Sequence, residues 1–269
     1  MKSQANLSTA RIAYLKKLKR EAILVWSFRI IILISLIIAW ELLTKFNILD
    51  AFLFSSPSRI VNTLITLQES NELFKHIFTT LFETVSGFII ATVLGTIIAT
   101  LLWLSNLTRT IFEPYVVVLN ALPKIALGPV IIIAFGAGMK SIIFMTILVT
   151  VIVTIINMLT GFMQTEKGKI FLLQSMGATK LQILTHLIIP NAIPTLISTL
   201  KVNVGLSWIG SIMGEYIVSK QGLGYLIVYG GQVLKLDLVM TSTVLLCILA
   251  GLMYALVASL ERIISKRTQ

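Results

Sequence analysis

A chain of 269 residues in which 57% are apolar or aromatic and only 12% are charged departs from a soluble domain, which has roughly 45–50% apolar and ~25% charged residues. Together with a mean hydropathy of +0.95, this excludes an ordinary cytosolic enzyme, a disordered chain and a secreted disulfide scaffold. The net charge of +11 would suit nucleic acid, but its distribution along the chain points to membrane orientation instead. One cysteine, Cys247, leaves no internal disulfide, and two histidines with one cysteine do not make a zinc site.

A bilayer core of ~30 Å needs about 20 helical residues. From the N-terminus, a basic tail at 1–25 precedes the apolar run Ile30–Trp40, whose flanks Arg29 and Glu41 can snorkel. The basic region is too long for a signal peptide and no small-residue cleavage site follows, so the first span is expected to stay as a helix. In the outer stretch 45–79, Ser55-Ser56-Pro57-Ser58 reads as a turn and helix start. Ile60, Val61, Leu64, Ile65 and Leu67 then predict a short amphipathic surface helix. Thr84–Leu104 is a charge-free run; Pro114–Met139 is interrupted by Lys124, and Pro123 and Pro129 predict a broken helix there. Ser141–Thr165 is again charge-free, Pro190–Gly214 contains Lys201, and Leu238–Leu260 closes the series. Gly205 and Gly210 are read as points of close helix packing, and Gly222 with Gly224 as an outer turn. The expectation is one all-α membrane domain over 1–269, with six transmembrane helices at about 26–44, 80–104, 112–136, 140–164, 190–216 and 238–261. The short alternating segments of a β-barrel are absent.

Six spans place both ends on one side. That side holds fourteen of the 22 basic residues: Lys2, Arg11, Lys16, Lys17, Lys19, Arg20, Arg29, Arg109, Lys167, Lys169, Lys180, Arg262, Lys266 and Arg267. The other holds Lys45, Arg59, Lys75, Lys140, Lys220 and Lys235. The positive-inside rule therefore puts both termini in the cytoplasm. Trp26, Trp40 and Trp103 lie near span ends and read as interface anchors.

The inner loop 165–189 has its own pattern. Glu166, Lys167 and Lys169 lead into Ile170-Phe171-Leu172-Leu173-Gln174-Ser175-Met176; Gly177-Ala178-Thr179-Lys180 breaks it, and Leu181–Ile189 resumes. Pro190 and Pro194 each suit a helix start or a kink. The residues alone leave two readings open, a folded connection or a docking element for a cytoplasmic partner. His186, on this loop, reads as a solvated surface residue.

The spacing of Gly177 and Pro190, with nine residues and then Leu187, Ile188 and Ile189 between them, resembles the cytoplasmic loop of binding-protein-dependent ABC transporter permeases. Further blocks are similar to the nitrate/sulfonate/taurine/bicarbonate branch: Ser56–Ile60, Thr80-Leu81 with Gly87-Phe88, Ala121–Pro129 with Phe135-Gly136, and Gly214-Glu215 with Gly222–Leu226. The chain departs from the pattern in two places. The loop's Glu-Ala-Ala reads Phe171, Leu172 and Leu173, and Glu83 stands where the branch often has Arg. The resemblance implies a type I importer permease fold in a bacterial cell membrane, two cytoplasmic ATPase subunits, a second permease copy, an external solute-binding protein, surrounding lipid, and no nucleic acid. It implies that the loop residues Phe171, Leu172, Leu173, Met176, Gly177, Ala178 and Pro190 couple to the ATPase. The solute would be a small anion of sulfonate, nitrate or taurine type; a thiamine-precursor pyrimidine is an alternative.

No phosphate-binding loop is present, since Gly168-Lys169-Ile170 lacks the hydroxyl and the earlier glycine. The chain is thus expected not to be an enzyme and to bind no cofactor or metal. The competing reading is a secondary transporter or channel, which would call for an intramembrane carboxylate; Glu83 and Glu215 are the candidates, and both fall near predicted span ends. Cations inside a span need a partner or water, so Lys124 and Lys201 are candidates for a path-lining wall, together with Pro123 and Glu215, or else for snorkelling and local pairs.

Overall fold

The computed structural model describes residues 9–268, and all regular structure among them is helical. In chain order the helices are α1 (Thr9–Lys45), α2 (Ala51–Phe54), α3 (Pro57–Glu69), α4 (Leu73–Leu104), α5 (Asn106–Ala121), α6 (Gly128–Phe135), α7 (Met139–Met163), α8 (Lys167–Ser175), α9 (Lys180–Ile183), α10 (Ile189–Asn191), α11 (Ile193–Val218), α12 (Leu223–Gln232) and α13 (Leu236–Thr268). A 3-10 turn, Lys124–Leu127, precedes α6, and a π-helical segment, Leu184–Ile188, joins α9 to α10. Helices α1, α4, α7, α11 and α13 are each long and apolar enough to cross a bilayer. The remaining predicted span is the pair α5 and α6, bent by 86° at the break. Of the basic tail, residues 1–8 lie outside the described residues; from Thr9 it is helical and continuous with the first span.

Three helices, α4, α7 and α11, form the centre of the fold. Their contact is made by small and hydroxyl-bearing side chains, as expected where lipid supplies no hydrophobic drive between helices. A Cβ at Gly210 would lie 2.7 Å from the Thr146 Cα, and one at Gly87 would lie 2.6 Å from the Thr146 Cβ, so both glycines let α7 approach. Between them runs a polar seam. Thr84 and Ser211 share a hydrogen bond of 2.7 Å, Thr150 and Ser207 one of 3.3 Å, and the Asn203 amide donates to Thr92 (3.0 Å) and Thr154 (2.9 Å). Such bonds within a bilayer average about 0.6 kcal/mol each. Their greater effect is to fix register, because a slip would bury each hydroxyl unpaired.

Apolar clusters close both ends of this core. At one end Ala99, Leu102, Met158, Phe162, Ile183 and Ile188 pack together, with Trp103 against them. At the other, Leu67 of α3 and Leu223 and Leu226 of α12 pack with Val204, Trp208 and Leu238. The predicted surface helix is α3, capped by the Ser56 hydroxyl, which accepts from the Arg59 amide at 3.3 Å, with Pro57 in its first turn. Glu41 of α1 accepts from the Ser58 amide (3.0 Å) and hydroxyl (2.9 Å). Arg59 donates to Asp237 of α13 at 2.7 and 3.1 Å. These bonds tie α1, α3 and α13 together at the end of the bundle that carries α12.

Several expectations need correction. Helix α4 begins at Leu73 rather than near 80, because Lys75 points outward while His76 turns inward and accepts a hydrogen bond. The segment after Gly222 is not a simple turn but the helix α12, with Gly224 in its first turn. A Cβ at Gly210 would meet the neighbouring helix, but one at Gly205 would meet nothing within 4 Å. Glu83 and Glu215 do not lie at wet span ends; each is 1% exposed. Trp103 packs into an apolar cluster, whereas Trp26 is exposed, with the Arg29 guanidinium 5.4 Å from its ring centre.

Candidate coupling loop and translocation segment

The loop between α7 and α11 folds as a helical hairpin. Gly177 follows the end of α8 at φ +82°, a left-handed conformation that costs an L-residue with a side chain about 1–2 kcal/mol. The amides of Gly177 and Ala178 donate to the carbonyls of Gln174 (2.9 Å) and Leu173 (3.0 Å), which ends the helix. Thr179 then starts α9 with a reciprocal capping box to Gln182. The following π-helical segment carries His186, whose Nδ1 lies 3.0 Å from the Gln182 carbonyl on the exposed surface.

This hairpin divides the sequence-predicted residues into two sets. Leu173 and Ala178 pack inward against the cluster of Ile183 and Ile188. Phe171, Leu172 and Met176 are 70%, 60% and 76% exposed, and Leu181 on α9 is 62% exposed. The hairpin is therefore held from within and presents large apolar side chains outward. Pro190 is exposed in the first turn of the short α10, beside Asn191, whose amide donates to Thr165 at 3.1 Å.

The second candidate region is the bent pair α5 and α6. No residue of α5 is buried. Pro123 ends the helix and Lys124 opens the 3-10 turn, with its Nζ 3.2 Å from the Asn120 carbonyl and 3.3 Å from the Asn120 side-chain oxygen. Exposed Glu113 and Asn120 lie on the same helix. Pro129 sits in the first turn of α6, where its missing amide proton leaves no bond broken.

The other two path candidates are engaged within the fold. Lys201 of α11 pairs with Glu261 of α13 at 2.5 Å. Glu215 of α11 accepts from the amides of Gly224 (2.6 Å) and Tyr225 (3.3 Å). His76 and Thr80 of α4 complete this cap, accepting from the amides of Gly222 (2.9 Å) and Leu223 (2.8 Å). The sequence reading missed this arrangement, in which side chains from two other helices satisfy the free amides of α12. It also missed the polar seam, although Thr146, Thr150 and Thr154, and likewise Asn203, Ser207 and Ser211, recur every fourth residue. That period marks one face of a helix.

Residues 91–269 match the family of binding-protein-dependent transport system inner membrane components. The chain is similar to SsuC of Escherichia coli, a permease protein assigned to aliphatic sulfonates transport, with 29% identity over 230 residues, 86% of this chain and 88% of that protein. It is similar also to the formylaminopyrimidine transport permease protein ThiX of Halalkalibacterium halodurans, with 30% identity over 193 residues, 71% of this chain and 76% of that protein. The fold resembles a chain of the methionine ABC transporter MetNI in an inward-facing conformation, at a TM-score of 0.64 and 22% identity, covering 72% of this chain and 97% of that one. With the family match running from the second half of α4 through the bent pair, the α8–α9 hairpin and α11 to the end of the chain, this chain belongs to the binding-protein-dependent transport system inner membrane component family, the permease subunits of ABC importers, in which a separate ATPase hydrolyses ATP.

Proposed function

We propose that the α8–Gly177–α9 hairpin is the ATPase-docking element of this importer permease, that a second copy of the chain completes the translocation path along α5 and α6, and that the solute is a small anion. The observation that carries the docking assignment is the outward row of Phe171, Leu172, Met176 and Leu181 on a hairpin anchored by Leu173 and Ala178. Exposed apolar side chains on a short, rigid polar-end loop are costly in water and gain by burial, at roughly 25 cal/mol per Å². Basic residues concentrated at the hairpin's end of the molecule support a cytoplasmic location for it and for both termini.

The bent pair supports the path. Glu113, Asn120 and Lys124 on an otherwise unburied segment are poor lipid neighbours. They suit a face turned to water and to a partner protein. Lys124 supplies the positive charge for an anionic solute, and the similarity to a sulfonates permease agrees with that choice; a pyrimidine solute is the second reading, favoured by the similarity to the formylaminopyrimidine permease. An external binding protein would deliver the solute.

The docking assignment is tested by co-purifying the ATPase with wild type and with Phe171→Asp and Met176→Asp variants, after confirming membrane insertion. Loss of the ATPase from inserted variants is expected. Normal co-purification of both variants would overturn the assignment.

A further inference from the structure

Two buried acids, Glu83 on α4 and Glu215 on α11, lie at the junction of these helices with α12, and the cap on α12 does not use Glu83. They are the only Asp or Glu side chains buried among the described residues, each at 1% exposure. Glu83 Oε2 and Glu215 Oε1 have no hydrogen-bond partner, and both acids lie in the same gap between α4 and α11, closed on one side by the Thr84–Ser211 bond and on the other by the bonds of Thr80 and Glu215 to the successive amides of Leu223 and Gly224. The ion pairs Arg59–Asp237, Lys169–Glu166 and Lys201–Glu261 lie elsewhere and involve neither of them.

Two ionised carboxylates offer only acceptors to one another. Buried together without a cation, they would repel in a medium of low dielectric. One proton resolves both problems, because a carboxylic acid donates one strong O–H···O⁻ bond. The surroundings decide which oxygen holds it. Glu215 Oε2 already accepts from the Gly224 and Tyr225 amides at the N-terminus of α12, so that oxygen is occupied as an acceptor. Glu83 receives no amide. The other titratable groups nearby are His76, whose Nδ1 is occupied by the Gly222 amide and whose ring stacks on Tyr225 at 6.0 Å, and Tyr216, the chain neighbour of Glu215. Neither supplies a cation: His76 accepts through Nδ1, so its single ring proton sits on Nε2.

We propose that the Glu83–Glu215 pair is a proton-binding site, with the proton held on Glu83 and donated to Glu215, which in turn caps α12. Glu83 is thus a positioning residue. Its proton lets α4, α11 and the outer helix α12 meet at one point, and pulling the carboxyls apart into water would release it. A leucine at this position would leave Glu215 with a buried oxygen and no donor, whereas glutamine would keep a donor.

Infrared difference spectroscopy on the full-length permease in lipid vesicles at neutral pH tests this. The wild type is expected to show a protonated-carboxyl stretch that shifts in deuterium oxide. Glu83→Gln is expected to lose it, and Glu215→Gln to retain it at a displaced frequency. Thermal melting is the second readout, with Glu83→Gln near wild type and Glu83→Leu clearly lower. Absence of the band in the wild type, its persistence in Glu83→Gln, or its loss in Glu215→Gln would overturn the proposal. If Glu83→Gln fails to insert, the wild-type and Glu215→Gln spectra still decide it.

Discussion

Gly210 and Gly205 lie on the same helix, five residues apart, and the fold predicts opposite outcomes for them. An alanine at Gly210 would place its Cβ 2.7 Å from the Thr146 Cα and 3.3 Å from the Thr146 amide nitrogen. No rotamer change relieves a contact with backbone, so α11 and α7 must part, which disturbs the adjoining Thr84–Ser211 and Thr150–Ser207 bonds. Overpacking costs about 1–3 kcal/mol, and the Gly-to-Ala gain within a helix returns about 0.5–1 kcal/mol. The net expectation for Gly210→Ala is a loss of up to about 2.5 kcal/mol. At Gly205 a Cβ meets nothing within 4 Å, so Gly205→Ala should be stabilised by about 0.5–1 kcal/mol. Gly87 separates backbone from side-chain contact: its Cβ would meet Thr146 side-chain atoms, including Cβ at 2.6 Å. Thr146→Gly should therefore rescue Gly87→Ala with a coupling of about 1 kcal/mol or more, and should not rescue Gly210→Ala. The assay is denaturant unfolding of the purified protein in detergent, followed by the fluorescence of Trp208, which is 4% exposed on α11. Gly210→Ala matching or exceeding Gly205→Ala in stability would refute the tight seam, as would equal coupling of both glycines to Thr146.

Other consequences are open to simpler tests. Gly177→Asp should insert normally, with a backbone cost of about 1–2 kcal/mol, yet lose ATPase association, because it adds a charge to an apolar docking face; co-purification measures this. Wild-type association should be little affected by salt, since screening weakens charge pairs and not apolar burial. Lys124→Gln should leave the complex assembled and reduce uptake of an anionic solute severalfold; unchanged uptake would remove Lys124 from the path. Lys201→Met should leave uptake intact and cost at most about 1 kcal/mol in unfolding, because its partnership with Glu261 is partly exposed to solvent and screened.

The spans, the surface helix α3, the break at Pro123 and the helix–glycine–helix form of the inner loop were all legible in the sequence. Each rests on a local signal: an apolar run, an N-cap with proline, or a glycine between two periodic segments. What escaped was set by contacts distant in the chain. Helix α12 begins at a glycine with φ +113° and is capped by His76, Thr80 and Glu215, all from other helices; no nearby residue announces it. Glu83 and Glu215 looked like boundary residues because each lies near one end of its apolar run, and only the tertiary pairing of α4 with α11 buries them against each other. Lys201 shows the same limit, since its partner lies 60 positions away. At the α8–α9 hairpin the sequence marked an apolar stretch, but which residues anchor it and which face outward depended on how α8 sits on the core. Phe171 and Leu173 are two residues apart and point to opposite sides.

The central claim is that this permease converts ATPase motion into solute passage through the outward apolar face of its hairpin. The direct measurement is ATP-driven solute accumulation in proteoliposomes containing the permease, its ATPase and its binding protein, comparing wild type with Phe171→Asp. The account predicts ATP-dependent uptake by wild type and none above background by the variant, with the variant still inserted and folded. Uptake by Phe171→Asp at the wild-type rate would contradict it.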